Sequence, residues 1–246
     1  DAMKVLFAGP SLHHDLVFLR RHQSDVDWHG PARCGDIVRA ARGGATAIGL
    51  VDGLFDQDAA PWHKEILYAL SLGIPVAGGA SMGALRAAEC SAFGMIGIGE
   101  VYRRYATGEV TDDADVAQLH APEELNYLPL TEPWVNIEPT FRCMEQQRVL
   151  RSTSIEALIA TAKRIHYRER TYAEIVRLTE ELTEDEAATA LQWLRDHAID
   201  QKRLDALAVL EWLRGQTDAP SAKERPWQLQ ETTHWMELLR TLDEED

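Results

Sequence analysis

Residues 74–90 read IPVAGGASMGALRAAEC, and this stretch decides the predicted fold class. The apolar run Ile74–Ala77 has the length and character of a buried strand, and small residues follow it. A helical pattern then continues from about Gly83 to the end of the stretch. Short apolar runs at 4–8 and 46–51 also alternate with helical patterns. The sequence therefore predicts an α/β fold, with a mostly parallel sheet flanked by helices.

Composition changes after residue 143. Residues 4–143 hold nearly all the glycines, whereas residues 144–246 are rich in Glu, Arg, Leu and Ala. We expect an α/β core domain carrying the functional site over 4–143, and an α-helical C-terminal region that binds a partner over 144–246. The tail is expected to contain amphipathic helices from Ile155 onward, over 183–195 and over 201–214, a loop at 217–221 and a solvated acidic end at 243–246. Thr183 and Glu186 have the spacing of a capping box.

Charge and cysteine content exclude several classes of partner and site. The chain has 25 Lys and Arg against 40 Asp and Glu, a net charge of −15, which disfavours nucleic acid as a partner. Its three cysteines are widely spaced, so neither a disulfide framework nor a metal site is expected. No apolar run approaches the roughly 18 residues of a membrane span. We expect a cytoplasmic protein with no metal, no cofactor and no membrane association.

The sharpest motif is Gly79-Ala80-Ser81-Met82-Gly83, a G-x-S-x-G sequence between a predicted strand and a predicted helix. This is the context of a nucleophile elbow, in which the small residues expose the serine hydroxyl. Ser81 is the candidate nucleophile, and the Met82 N–H is the candidate donor to an oxyanion. The alternative is a glycine-rich turn in which Ser81 only caps the following helix.

A nucleophilic serine needs a base, for which His120 is one candidate and the adjacent pair His63 and Lys64 supplies the others. Both lie on a helix predicted to open at Pro61, where they point about 100° apart, so only one is expected to face Ser81. Lys64 is the only lysine between Lys4 and residue 163. A desolvated lysine accepts a proton, which arginine does not. The alternative is a surface lysine whose stem covers a neighbouring aromatic ring.

Two loops are expected to reach the same edge of the sheet, because parallel strands end together there. Gly9 and Ser11 follow the first strand, and Asp52 follows the strand ending at Val51. Ser11 offers a hydroxyl or N–H to an anion, and Asp52 is a candidate to orient Lys64 or a water. Helix capping and a turn are the alternatives for these two residues. Arg86 is a candidate to hold a substrate carboxylate, with a structural ion pair as its alternative.

Several motifs together resemble the TfuA-like family. They are Phe7–Leu12, Gly35–Ile37, Ile48–Gly53, Trp62–Leu67 and Gly79–Glu89, and the resemblance covers roughly residues 4–140 without reaching the helical tail. It implies an accessory protein of YcaO enzymes, which use ATP to thioamidate a peptide backbone. It also implies hydrolysis of a thiocarboxylated ThiS-type sulfur carrier by a Ser-Lys pair, here Ser81 and Lys64, which releases sulfide.

Three other functions remain open at this point. One is a non-catalytic adaptor that recruits the peptide substrate and the sulfur carrier to the YcaO enzyme. Another is a general serine esterase, although no acid-then-histidine order follows Ser81. The third is a nucleotide-binding module on the Gly9–Ser11 loop, which lacks a dinucleotide fingerprint.

Overall fold

The computed structural model describes residues 3–55, 60–217 and 227–245. In these residues five parallel strands form one sheet in the order β2-β1-β3-β4-β5. The strands are β1 (Met3–Phe7), β2 (Val26–His29), β3 (Ala45–Leu50), β4 (Val76–Gly79) and β5 (Ile96–Ile98). The predicted parallel α/β core is confirmed.

Eleven α-helices accompany the sheet within the described residues. They are α1 (Leu16–His22), α2 (Asp36–Arg42), α3 (His63–Ser71), α4 (Met82–Cys90), α5 (Gly99–Thr107), α6 (Trp134–Gln146), α7 (Ser152–Arg164), α8 (Tyr172–Leu178), α9 (Glu184–His197), α10 (Gln201–Arg214) and α11 (Thr233–Glu245). The helical C-terminal region is therefore confirmed as well. Strands β2 and β5 were not predicted, because β2 carries polar residues and β5 is only three residues long.

The tail agrees with the sequence in its helices but not at its acidic end. Thr183 and Glu186 form the predicted capping box: Thr183 Oγ1 accepts from Glu186 N at 3.2 Å, and Glu186 Oε2 accepts from Thr183 N at 3.1 Å. Asp243 is not merely solvated, because it lies in α11 and pairs with Arg42 at 2.7 Å. Most of the predicted loop at 217–221 lies outside the described residues.

The structure forms two compact units. The first comprises residues 1–109 and 203–246, and the second comprises residues 110–202. Neither boundary coincides with the composition change after residue 143. The reason is that α10 packs on the sheet, where it buries Ala206, Val209, Leu210 and Leu213.

Helices cover both faces of the sheet in the first unit. Side chains of β1 alternate between these faces, with Val5 and Phe7 in one hydrophobic cluster and Leu6 in the other. Helices α2, α3 and α4 cover the first face, and α1 and α10 cover the second. A Cβ on Gly49 would lie 3.2 Å from Val209 Cγ1, so the missing side chain lets α10 approach the sheet closely.

The second unit has its own apolar core, formed by α6, α7, α8 and α9. Its buried aromatic residues include Trp134 and Phe141. Near this core Lys202 is almost fully buried, and its Nζ donates to Val116 O at 3.0 Å and to Gln118 Oε1 at 2.5 Å. These hydrogen bonds offset the free-energy cost of burying the polar amine of Lys202.

Candidate functional site

Three loops meet the carboxyl edge of the sheet in the first unit. They follow β1, β3 and β4, which are neighbours in the strand order. The chain reverses its winding direction between β1 and β3, and open parallel sheets bind ligands at such a reversal. The predicted convergence of the Gly9, Asp52 and Ser81 loops on one edge is therefore supported by the topology.

A strained turn presents Ser81. Ser81 N donates to Gly79 O at 2.7 Å, which closes a three-residue turn around Ala80. Ala80 is fully buried and has φ +67°, a conformation that costs a residue with a Cβ about 1–2 kcal/mol. Strain of this kind persists only where the surrounding structure enforces it, and it concentrates at functional sites.

The Ser81 side chain does not cap α4. Ser81 is the residue before the helix, yet its hydroxyl makes no hydrogen bond to any residue in the described part of the chain. The side chain is 4% exposed. The alternative explanation from the sequence, a glycine-rich turn in which Ser81 only caps the helix, therefore lacks the bond on which it depends.

The backbone next to Ser81 offers one free donor. Gly83 N donates to Val51 O at 3.1 Å, whereas Met82 N donates to no residue within 3–55, 60–217 or 227–245. A free N–H at the start of a helix is suited to stabilising a developing negative charge. This geometry agrees with the predicted role of Met82.

Gly79 and Gly83 are required by packing. A Cβ on Gly83 would lie 1.8 Å from Leu50 O, and one on Gly79 would lie 2.5 Å from Ile98 O. The two glycines let α4 start directly against β3 and β5. Packing alone therefore explains both glycines, and their contact with a substrate stays a prediction.

Lys64 is turned toward the C-terminal segment. It is the second residue of α3, it is half-buried, and its Nζ donates to Gln230 O and Thr232 Oγ1, each at 2.7 Å. No hydrogen bond joins Lys64 to Ser81. The structure places both residues in the first unit but does not connect them as a Ser-Lys pair.

His63 and Arg86 meet at a shared carboxylate instead. His63 Nε2 and Arg86 Nη1 contact Glu89 Oε2 at 2.7 and 2.8 Å, and Arg86 Nε donates to Pro61 O at 3.0 Å. The different partners of His63 and Lys64 agree with their predicted directions on the helix. Arg86 forms the structural ion pair given above as its alternative, and these contacts tie α3 to α4.

Asp52 organises the loop after β1. Its Oδ2 accepts from Gly9 N at 2.8 Å and Ser11 N at 3.0 Å, and its Oδ1 accepts from Ser11 Oγ at 2.7 Å. Asp52 makes no hydrogen bond to Lys64, whose Nζ donates to Gln230 O and Thr232 Oγ1, so the orienting contact is absent from this arrangement and the role of Asp52 toward Lys64 or a water stays a prediction. Ser11 likewise offers nothing to an outside anion, which also argues against phosphate binding by this loop.

Glu65 is a buried residue of this region that the sequence analysis missed. Its Oε1 accepts from Trp62 N at 2.9 Å and its Oε2 from Gly35 N at 2.8 Å, so it joins the starts of α2 and α3. Burial raises the pKa of Glu65 to about 7. Burial and Glu65 together raise the pKa of the neighbouring Cys34 thiol to about 12, which makes it a poor nucleophile. The structure places the helix cap at Trp62, three residues before Glu65, so this glutamate is the acidic member of a capping box that the predicted opening at Pro61 did not reveal.

No group of three or more potential metal-ligating side chains occurs in the part of the chain that the structure describes. The same residues include no helix long and apolar enough to span a bilayer.

Comparison with known proteins identifies the family. The family model described as TfuA-like protein matches residues 52–171, which include α3, the Ser81 turn and α4. No curated protein sequence matched the chain. The match extends past residue 143, so the expectation that the resemblance stops before the helical tail is wrong. Over residues 52–171 the chain is therefore a TfuA-like protein, from the family associated with YcaO-dependent thioamidation.

Proposed function

We propose that this protein is a hydrolase that releases sulfide from a thiocarboxylated ThiS-type sulfur carrier and supplies it to a YcaO enzyme for peptide thioamidation. The observation that carries the proposal is the strained turn at Ala80, which leaves both the Ser81 hydroxyl and the Met82 N–H without partners among the described residues. A nucleophile and an oxyanion donor on adjacent residues are the minimum requirement for acyl transfer.

The first half of the reaction forms an ester. Lys64, once its amine is neutral and near Ser81, removes the hydroxyl proton while Ser81 Oγ attacks the carbonyl carbon of the carrier thiocarboxylate. The Met82 N–H stabilises the oxyanion that develops. The carbon–sulfur bond then breaks, and the proton held by Lys64 goes to sulfur, which leaves as hydrosulfide.

The second half of the reaction restores the enzyme. Lys64 takes a proton from a water molecule, which attacks the ester carbonyl carbon. The ester bond to Ser81 breaks, Ser81 Oγ regains a proton, and the carrier leaves with an ordinary carboxylate. Partial positive charge at the start of α4 favours the anionic carrier terminus throughout.

Reconstituted thioamidation tests this function. The reaction contains a YcaO enzyme, ATP, the peptide substrate and either the thiocarboxylated carrier or free sulfide, with the wild-type protein or Ser81→Ala. We expect Ser81→Ala to abolish thioamidation from the carrier and to leave thioamidation from free sulfide unchanged. Full carrier-dependent activity of Ser81→Ala would contradict the hydrolase and favour the non-catalytic adaptor.

The adaptor is the second candidate, because Lys64 is bonded to the C-terminal segment and not to Ser81. An adaptor would bring the peptide substrate and the carrier to the YcaO enzyme without chemistry of its own. Both candidates predict that Ser81→Ala still enhances thioamidation from free sulfide, but only the adaptor predicts that Ser81→Ala supports thioamidation from the carrier to the same extent as the wild type.

A further inference from the structure

The proposed base is held by residues far away in the sequence. Lys64 Nζ donates two hydrogen bonds of 2.7 Å, one to the backbone carbonyl of Gln230 and one to the hydroxyl of Thr232. Both acceptors lie outside the 52–171 region that matches the family. We call residues 228–232 the strap.

The strap is fixed at both ends, and among its residues only Leu229 packs against an apolar cluster, formed by Val38, Trp235 and Leu242. Before it, Trp227 Nε1 donates to Phe93 O at 3.1 Å. After it, Trp235 of α11 is 2% exposed and packs against Tyr68 of α3, with ring centroids 5.6 Å apart. Gln230 and Thr232 themselves are exposed. A short segment with one partly buried apolar side chain opens at a lower free-energy cost than the packed helices beside it, while the rest of the fold stays intact.

The bonds to the strap oppose the chemistry required of Lys64. A general base needs a neutral amine with a lone pair directed at the proton that it removes. Two acceptors on one amine fix the direction in which that amine points. In this arrangement Lys64 makes no hydrogen bond to Ser81.

We propose that the strap is an autoinhibitory contact, which holds the Lys64 amine away from Ser81 until the strap opens. The inference rests on the proposed function, since it takes Lys64 as the base. The rate of hydrolysis is then proportional to the population of molecules with an open strap. A change that removes a strap bond raises this population and activates the protein.

The experiment compares hydrosulfide release from a thiocarboxylated ThiS-type carrier by the wild type, Thr232→Val and Gln230→Ala. Valine removes the hydroxyl and keeps the side-chain shape, so we expect release about three- to tenfold faster, from loss of one exposed hydrogen bond. Gln230 contributes only its carbonyl, so Gln230→Ala keeps both bonds and is the matched control. Unchanged or slower release by Thr232→Val would overturn the proposal.

Chemical labelling tests the strap contact independently of hydrolase activity. Trace acetic anhydride acylates only neutral, accessible amines, and mass spectrometry reports the labelling of Lys64 relative to Lys163 of the second unit. We expect Thr232→Val to raise the ratio about three- to tenfold and Gln230→Ala to leave it unchanged. If the labelling of Lys64 relative to Lys163 is unchanged in Thr232→Val, the proposed strap contact is overturned. A raised ratio with no hydrosulfide release by any variant supports the contact, but it refutes the hydrolase and with it the autoinhibition.

Discussion

Replacement of Asp52 should unfold the loop after β1 and lower the stability of the protein. The Asp52 carboxylate is 2% exposed and accepts three hydrogen bonds, from Gly9 N, Ser11 N and Ser11 Oγ. Asp52→Ala leaves the two buried N–H groups unsatisfied, at about 1–3 kcal/mol each, while the hydroxyl retains some freedom to rotate. We therefore expect the free energy of unfolding to fall by about 3–5 kcal/mol.

Two further variants make this test specific. Asp52→Asn keeps an oxygen for the N–H donors and lets its amide group donate to Ser11 Oγ, so we expect a loss of about 1–2 kcal/mol. Ser11→Ala removes a single bond and should cost about 1 kcal/mol. The measurement is urea denaturation monitored by circular dichroism. The comparison requires that the free energy of unfolding depends on urea concentration with the same slope in each variant. An Asp52→Ala protein as stable as Asp52→Asn would refute the assigned contacts.

Three other predictions concern the packing and electrostatics of the fold. Gly83→Ala should cost about 3 kcal/mol or more, because its Cβ would lie 1.8 Å from Leu50 O, whereas Gly215→Ala, with no atom closer than 3.4 Å, should change urea stability by less than about 0.5 kcal/mol. The pKa of Glu65 rises from 4.5 to about 7 on folding. The contribution of this carboxyl to the free energy of unfolding is therefore fully present below pH 4.5 and is lost as the pH rises through about 7. This loss is about 3 kcal/mol. Glu65→Gln should make the pH dependence of urea stability correspondingly shallower, and an unchanged slope would contradict the burial assigned to this carboxyl. Thr183→Ala should lower stability by about 1 kcal/mol and Thr183→Ser by much less, which thermal unfolding measures; equal losses would argue against the capping box.

The predictable parts of the fold were those whose signals are local in sequence. The strand, turn and helix over residues 74–90 follow from an apolar run, small residues and a helical pattern, and the structure has each of them. The capping box at Thr183 involves neighbours within one helical turn and was also predictable. Strand β5 was not, because three residues with a partly exposed isoleucine give no periodic signal.

The candidate site was only partly predictable for a physical reason. Ser81 and Met82 lie in one local motif, so their positions follow from the turn. The partners of Lys64 lie 166 and 168 residues later in the chain, and no local pattern indicates which acceptors a lysine reaches. The positive φ of Ala80 was hidden as well, because alanine ordinarily avoids this conformation and only the surrounding packing imposes it.

The most direct test of the central claim is hydrosulfide release from the purified thiocarboxylated carrier by this protein alone, without a YcaO enzyme. Ser81→Ala, Lys64→Ala and Ser11→Ala are compared with the wild type after circular dichroism shows that each is folded. Ser11 is the matched serine control, because it lies at the same edge of the sheet with its hydroxyl bound to Asp52. The account predicts that release is lost in Ser81→Ala and Lys64→Ala and retained in Ser11→Ala. Undiminished release by Ser81→Ala would contradict it.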